Sequence, residues 1–188
     1  GVIGSINGNF INNKVETSYG SYTLGGAIYN SSIIGSINSN FINNSVKSST
    51  SSLGGAIHNT GTIGNISGNF INNIADSYSL EGKGGAIYNS GTIGDKNTDG
   101  NVVGGIINST FLNNFAETTQ QGITVQGGAI YTKSDLNIIA DNGTSTFKGN
   151  FVQLGQEKDY QAIWVDDQAT LHFTSRNGGK INLYDNNS

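Results

Sequence analysis

Apolar residues in this chain come in short clusters that recur in one order. Ala-Ile-Tyr is followed by Thr-Ile-Gly-Asn-Ile and then by Phe-Ile, with Gly, Asn and Ser between them. No cluster continues at 3.6-residue spacing for the ten or more residues that an amphipathic helix needs. β-Branched and aromatic residues fill the clusters and turn formers punctuate them, which is the signature of strands and turns. The pattern predicts about three short strands per unit and almost no helix.

Two motifs set the unit. The pairs Phe10/Asn13, Phe41/Asn44, Phe70/Asn73, Phe111/Asn114, Phe147/Asn150 and Leu183/Asn186 place asparagine three positions after an apolar residue. Between them lies Gly-Gly-Ala-Ile at 25–28, 54–57, 84–87 and 127–130, with a worn copy at Gln161-Ala162-Ile163. The apolar members are spaced 31, 29, 41, 36 and 36 residues apart. One copy therefore carries extra chain, centred on 95–103, and an insertion that leaves both flanking motifs intact belongs in a loop. Alternation of two motifs at one pace means a single unit duplicated end to end.

Such a unit can be a propeller blade or one coil of a parallel β-helix. Blades need four antiparallel strands in forty or more residues. Here the unit is shorter, and each strand resembles its copy in the next unit more than its neighbours in its own. Pairing should therefore run between units, giving about six coils of about 30 residues. A six-residue repeat is absent, and leucine is too scarce for leucine-rich repeats. The expected fold is all-β, a single-stranded parallel β-helix spanning 1–188 as one domain.

In that fold copies of a residue stand in a column at the interstrand spacing of about 4.8 Å. Asn13, Asn44, Asn73, Asn114, Asn150 and Asn186 should form a ladder, because each side chain offers an acceptor and a donor to the next coil. Asparagine also tolerates the left-handed backbone of a sharp corner. Phe10, Phe41, Phe70, Phe111, Phe147 and Leu183 should stack inside, beside a column of Ile28, Ile57, Ile87, Ile130 and Ile163. The Gly-Gly-Ala segments should permit a tight corner. Which of Ala27 and Ile28 faces inward depends on a one-residue register.

Composition narrows the function more than the fold. With 28 glycines, 35% hydrophobic residues and 27 asparagines, the chain would look almost disordered without its periodicity. Cysteine is absent, so thiolate metal sites and disulfides are not expected. A net charge of −4 argues against nucleic acid and anionic membrane partners. No run of 18 apolar residues exists to span a bilayer. The chain opens in mid-repeat and ends just after a Phe-x-x-Asn-like element, so a piece of a longer protein is expected.

The residues Gly-Gly-Ala-Ile-Tyr-Asn, Thr-Ile-Gly-Asn-Ile-Ser-Gly-Asn-Phe-Ile-Asn-Asn (62–73) and Gly-Gly-Lys-Ile-Asn-Leu-Tyr-Asp-Asn-Asn (178–187) resemble the passenger region of bacterial autotransporters. The alternation of Gly-Gly-Ala-Ile with Phe-x-x-Asn is similar to that of chlamydial polymorphic outer-membrane proteins. The resemblance implies a right-handed β-helix, at the surface of a Gram-negative cell or secreted. It also implies a C-terminal β-barrel translocator outside this segment. Passengers of this type serve several activities, so the resemblance is specific for fold and weak for chemistry.

Candidate chemistry is sparse. Some parallel β-helices degrade polysaccharides, and Asp166-Asp167 with His172, Arg176, Asp141 and Asp185 is the one candidate carboxylate site. Adjacent Asp residues on a strand point to opposite faces, and the middle coils look poor in acid. No cofactor is expected, and with only two histidines and no cysteine no metal site is expected. Tyr29, His58, Tyr88, Tyr131 and Trp164 share one repeat position and form either a stabilising stack or an exposed contact strip. The polar segments 14–24, 45–53, 74–83, 115–126 and 151–160 should leave the coil at one corner as a fringe of loops. The reading is a non-catalytic surface protein, an adhesin or a stalk, with a host-surface protein or glycan as the partner. The alternative is a polysaccharide-degrading enzyme.

Overall fold

A computed structural model describes residues 1–96, 98–99 and 102–185. Among the described residues there is no helix, and the chain winds as a parallel β-helix. The coil containing Phe41 shows the plan: a long strand Ile33–Ile42, then Ser45–Ser48, Ser52–Leu53 and Ile57–Asn59. Each joins a sheet running along the stack, and these four faces are numbered here in that order. The first face is the widest and contains Val2–Ile11 paired in register with Ile33–Ile42. In the next coil Gly68, at φ 135°, divides the strand into Thr62–Ser67 and Asn69–Ile71.

Pairing between coils is parallel and joins like to like. Phe70 lies opposite Phe41 and Phe111, Ala75 opposite Val46 and Ala116, and Ile87 opposite Ile57 and Ile130. Among the described residues two antiparallel pairs interrupt the rule. In the extra chain Asp95–Lys96 pairs with Val102–Val103, after which the first face resumes at Gly105–Ile107. Near the other end Glu157–Asp159 folds back on Phe151–Leu154, along the edge of the second face.

Four faces, not three strands, make the unit. The segments expected as a loop fringe are mostly strand: Lys14–Thr17, Ser45–Ser48, Ile74–Ser77, Phe115–Thr118 and Phe151–Leu154 build the second face. In the four later strands a small apolar residue turns inward, and Val46, Ala75, Ala116 and Val152 form a buried cluster of their own, while Val15 in the first coil is exposed. Alternate residues are buried, but one of each pair is a hydroxyl residue such as Ser48, Ser77 or Thr118, so the alternation does not show as a hydrophobic pattern in so short a strand. Only the tips between the second and third faces remain loops.

The main core is the column of phenylalanines with the isoleucines around it. Phe41, Phe70, Phe111 and Phe147 are fully buried. Their rings stack nearly parallel, with centroids 4.7–4.9 Å apart from Phe10 to Phe147. Ala56 and Ile57 are both buried, as are Ala86 with Ile87 and Ala129 with Ile130, so the register question has no either-or answer. Leu183 pairs with Phe147 but is 44% exposed, so at that coil the stack opens to solvent.

The two glycines of Gly-Gly-Ala-Ile do different work. The first sits at positive φ, 59° at Gly25 and 64° at Gly84, and turns the chain from the third face into the fourth. The second is a close approach: a Cβ on Gly85 would strike the Gly128 carbonyl and the backbone of Phe115. The fourth face thus rests on the start of the second, and no side chain fits between them.

Candidate functional site

The Phe-x-x-Asn corner divides its labour between two asparagines. Asn12, Asn43, Asn72 and Asn113 take φ of 53–58°, and Gly149 takes that place in the next copy at 71°. The left-handed turn therefore belongs to the first asparagine, not to the ladder residue that was also expected to supply it. Freed of that task, the second points inward. Asn44 Nδ2 donates to Asn73 Oδ1 at 3.0 Å, Asn73 to Asn114 at 2.9 Å and Asn114 to Asn150 at 2.9 Å. The backbone N–H of each ladder residue donates to the same oxygen, as Asn73 N does to Asn114 Oδ1 at 2.9 Å. Each Nδ2 also donates to the carbonyl of a phenylalanine one coil back, Asn114 to Phe70 O at 2.8 Å. Asn13 joins at the more open end, donating to Asn44 Oδ1 at 2.8 Å.

Asn186 lies outside the described residues. The acceptor for Asn150 is Asp185, whose Oδ2 receives Asn150 Nδ2 at 2.7 Å and Asn150 N at 3.1 Å. Its other oxygen takes the N–H of Gly149 at 2.5 Å. A carboxylate suits this place because it is needed there only as an acceptor, and it satisfies three donors at once.

A second ladder escaped the sequence reading. Asn30 Nδ2 donates to Asn59 Oδ1 and Asn59 to Asn89 Oδ1, each at 2.8 Å, and Asn89 donates to Thr132 Oγ1 at 3.1 Å. Its signal was the last residue of Gly-Gly-Ala-Ile-Tyr-Asn, recurring three positions after alanine.

The aromatic strip is a continuous stack, from Tyr29 to His58 at 5.3 Å, His58 to Tyr88 at 4.7 Å and Tyr88 to Tyr131 at 5.1 Å. Only its ends are open, Tyr29 at 53% and Trp164 at 37% exposure. Leu53, Tyr88 and Tyr131 are packed together with Leu24. The outer sides of the third and fourth faces thus close over the middle of the strip. Lys83 Nζ lies 4.8 Å from the Tyr131 ring centroid and is held by Glu81 at 2.9 Å. Burial pushes the His58 imidazole down to about 4, partly offset by the nearby Leu53 backbone. His58 Nδ1 is buried without a partner. Burial likewise raises the Tyr88 and Tyr131 hydroxyls, the latter helped by its 2.8 Å bond to Asp166.

The carboxylates weighed for catalysis lie apart in different contacts. Asp141 binds Arg176 Nε at 2.9 Å and Asn177 at 2.7 Å, Asp166 accepts from Tyr131, and Asp185 serves the ladder. A carboxylate pair does occur in the middle coils, where Asp76 and Glu117 are cross-strand neighbours on the second face. Lys47 holds Asp76 at 2.5 Å. The Glu117 carboxyl is raised, first by burial and then by Asp76. Sequence reading missed this pair because 41 residues separate its members. Among the described residues no three His, Cys, Asp or Glu side chains gather as a metal site.

Large side chains are exposed on the tips between the second and third faces: Tyr19 at 89% and Tyr22 in the first coil, and Tyr78 and Leu80 two coils further on. Successive tips are tied together, Gly20 N to Ser49 Oγ at 3.0 Å and Tyr78 N to Ser48 O at 3.0 Å. They form a corner at which aromatic rings face solvent from a paired scaffold.

The repeat of the Chlamydia polymorphic membrane protein matches residues 66–90 and 108–133. Two stretches of this chain match that repeat. Each matched stretch runs from just before Phe-x-x-Asn to just after Gly-Gly-Ala-Ile-Tyr, so the repeat spans the ladder corner, the second and third faces, and the glycine corner. No curated protein and no solved structure matches the chain. The parallel coils and the two matched stretches are consistent with a passenger of the autotransporter kind. Among the described residues no helix is long and apolar enough to cross a membrane.

Proposed function

We propose that this chain is a length of non-catalytic surface β-helix, an adhesin segment that meets a host-surface protein or glycan at its tip corner. The observation that carries this reading is the exposure of Tyr19 and Tyr22 on one tip and Tyr78 and Leu80 on another along the same corner, on tips that are tied coil to coil. Aromatic side chains held on a paired scaffold give contact area at low entropic cost. The repeat family, whose name is that of a membrane protein, supports placement at the surface of a Gram-negative cell. Binding of the chain to cultured host cells is expected to fall when Tyr19, Tyr22 and Tyr78 are together changed to serine, with the circular dichroism unchanged. Undiminished binding would reduce the tips to solvated decoration.

The neighbouring carboxylates Asp76 and Glu117 favour one competing reading, a polysaccharide-degrading enzyme. Incubation with uronate polymers separates the two, since release of reducing ends would displace the scaffold reading. No release is expected.

A further inference from the structure

The hairpin that pairs Glu157–Asp159 with Phe151–Leu154 stands beside the last ladder corner, and between them lies a groove of about 540 Å³. Its walls include Asn113, Lys148, Lys158, Asp159, Tyr160 and Tyr184. Tyr160 and Tyr184 are 48% and 63% exposed, so their rings are open to a ligand. Lys148 Nζ lies 5.7 Å from the Tyr184 ring centroid, and Lys158 Nζ lies 4.7 Å from that of Tyr160.

The charges in this groove are unbalanced in a particular way. Lys14, Lys47, Lys83 and Arg176 are each paired with a carboxylate. Lys148 and Lys158 instead lie against aromatic rings. Asp185 also lines the groove, but its two oxygens already accept three N–H groups of the ladder corner. That leaves two ammonium groups, two aromatic faces, the Asn113 amide and the Asp159 carboxylate to meet a ligand.

We infer that this groove binds a pyranose sugar carrying one carboxylate or sulfate, with Lys148 and Lys158 on the anion and a tyrosine ring against the sugar's C–H face. A pyranose has an apolar face for a ring, and hydroxyls for Asn113 and Asp159. The volume falls within the range of small-ligand sites. A bare phosphate would leave both tyrosines unused. The inference rests on the adhesive reading proposed above and adds to the tip corner a second contact site, the hairpin groove, with a ligand class of its own.

The test is calorimetric titration of the whole 188-residue chain with sialyllactose, a sulfated heparin disaccharide, lactose and an aspartate-rich peptide. At least one acidic sugar should bind about tenfold more tightly than lactose or the peptide. The sialyl and sulfated arms decide between carboxylate and sulfate. Lys148→Ala and Tyr184→Ala should each weaken that binding by about tenfold. Both side chains are exposed, so the thermal midpoint should stay put and loss of fold would be seen separately. Equal binding of lactose or the peptide, or full binding by both variants, overturns the inference. A chain that adheres to cells yet binds neither acidic sugar overturns this inference alone. A chain that does neither overturns the adhesive reading as well.

Discussion

Asn114 Nδ2 donates to Asn150 Oδ1 at 2.9 Å, while Asn114 Oδ1 accepts from both nitrogens of Asn73. One buried side chain therefore serves the coil on each side, and its second N–H serves the Phe70 carbonyl. Because no water reaches it, every partner lost would stay unpaired. Asn114→Ala removes the acceptor of two donors and the donor of two acceptors. At about 1–3 kcal/mol per buried group left unsatisfied, with partial relaxation, the cost should be about 3–5 kcal/mol. Asn13→Ala, at the more open end, should cost less than about 1 kcal/mol. Urea midpoints of the two variants measure the difference.

The phenylalanine column should show a similar gradient. Phe70 is fully buried with rings above and below, so Phe70→Ala should cost about 3–5 kcal/mol through lost transfer energy and a cavity. Phe70→Leu should recover part of this. Phe10→Ala should be milder, because Phe10 stacks on Phe41 alone and is only half-buried. Thermal unfolding of the three variants orders them.

His58 makes stability depend on pH. Its imidazole titrates near 6.5 in the unfolded chain and at about 4 in the fold, so the unfolded state binds the proton first as pH falls. The neutral side chain's contribution is complete above pH 6.5 and is lost progressively between there and about 4. The full difference is about 3 kcal/mol. His58→Tyr copies Tyr29 and Tyr88 on either side and should flatten this part of the profile. Urea unfolding at pH 7 and pH 4.5 gives the comparison, and an unchanged slope in the variant would reject the assignment.

Glu117 acts with the opposite sign. Its folded carboxyl is raised above the usual 4.5, so the contribution of its protonated form is present below that value and disappears as pH rises through the folded one. Glu117→Gln should therefore stabilise the chain at pH 7 while changing little at pH 4. The same urea series reads this out.

Two glycines should separate close approach from turn geometry. Gly85→Ala forces a methyl group into the backbone of Phe115 and Gly128, and the coil cannot close around it. Far-ultraviolet circular dichroism should show loss of the strand signal. Gly122 has φ 78° but nothing within 4 Å of a Cβ, so Gly122→Ala should cost only about 1–2 kcal/mol and keep the fold.

The columns were legible from the sequence alone. When coils pair in parallel, residues one coil-length apart must meet, so recurrence of Phe, Asn and Gly-Gly-Ala-Ile names the stack, the ladder and the corner directly. What recurrence does not encode is what lies against a column from another face. Tyr88 and Tyr131 read as a possible contact strip, and the third face, closing over them beside Leu53, leaves only Tyr29 and Trp164 open. The second face was invisible because its other buried positions are hydroxyl residues, Ser48, Ser77 and Thr118, so Val46, Ala75 and Ala116 give no alternating hydrophobic pattern before the coil has turned. At the last described corner Asp185 receives the ladder bonds of Asn150, where spacing alone named Asn186. Chain periodicity thus determined which residues share a column. The tertiary structure decided which columns are covered, because burial depends on contacts between faces that no single repeat contains.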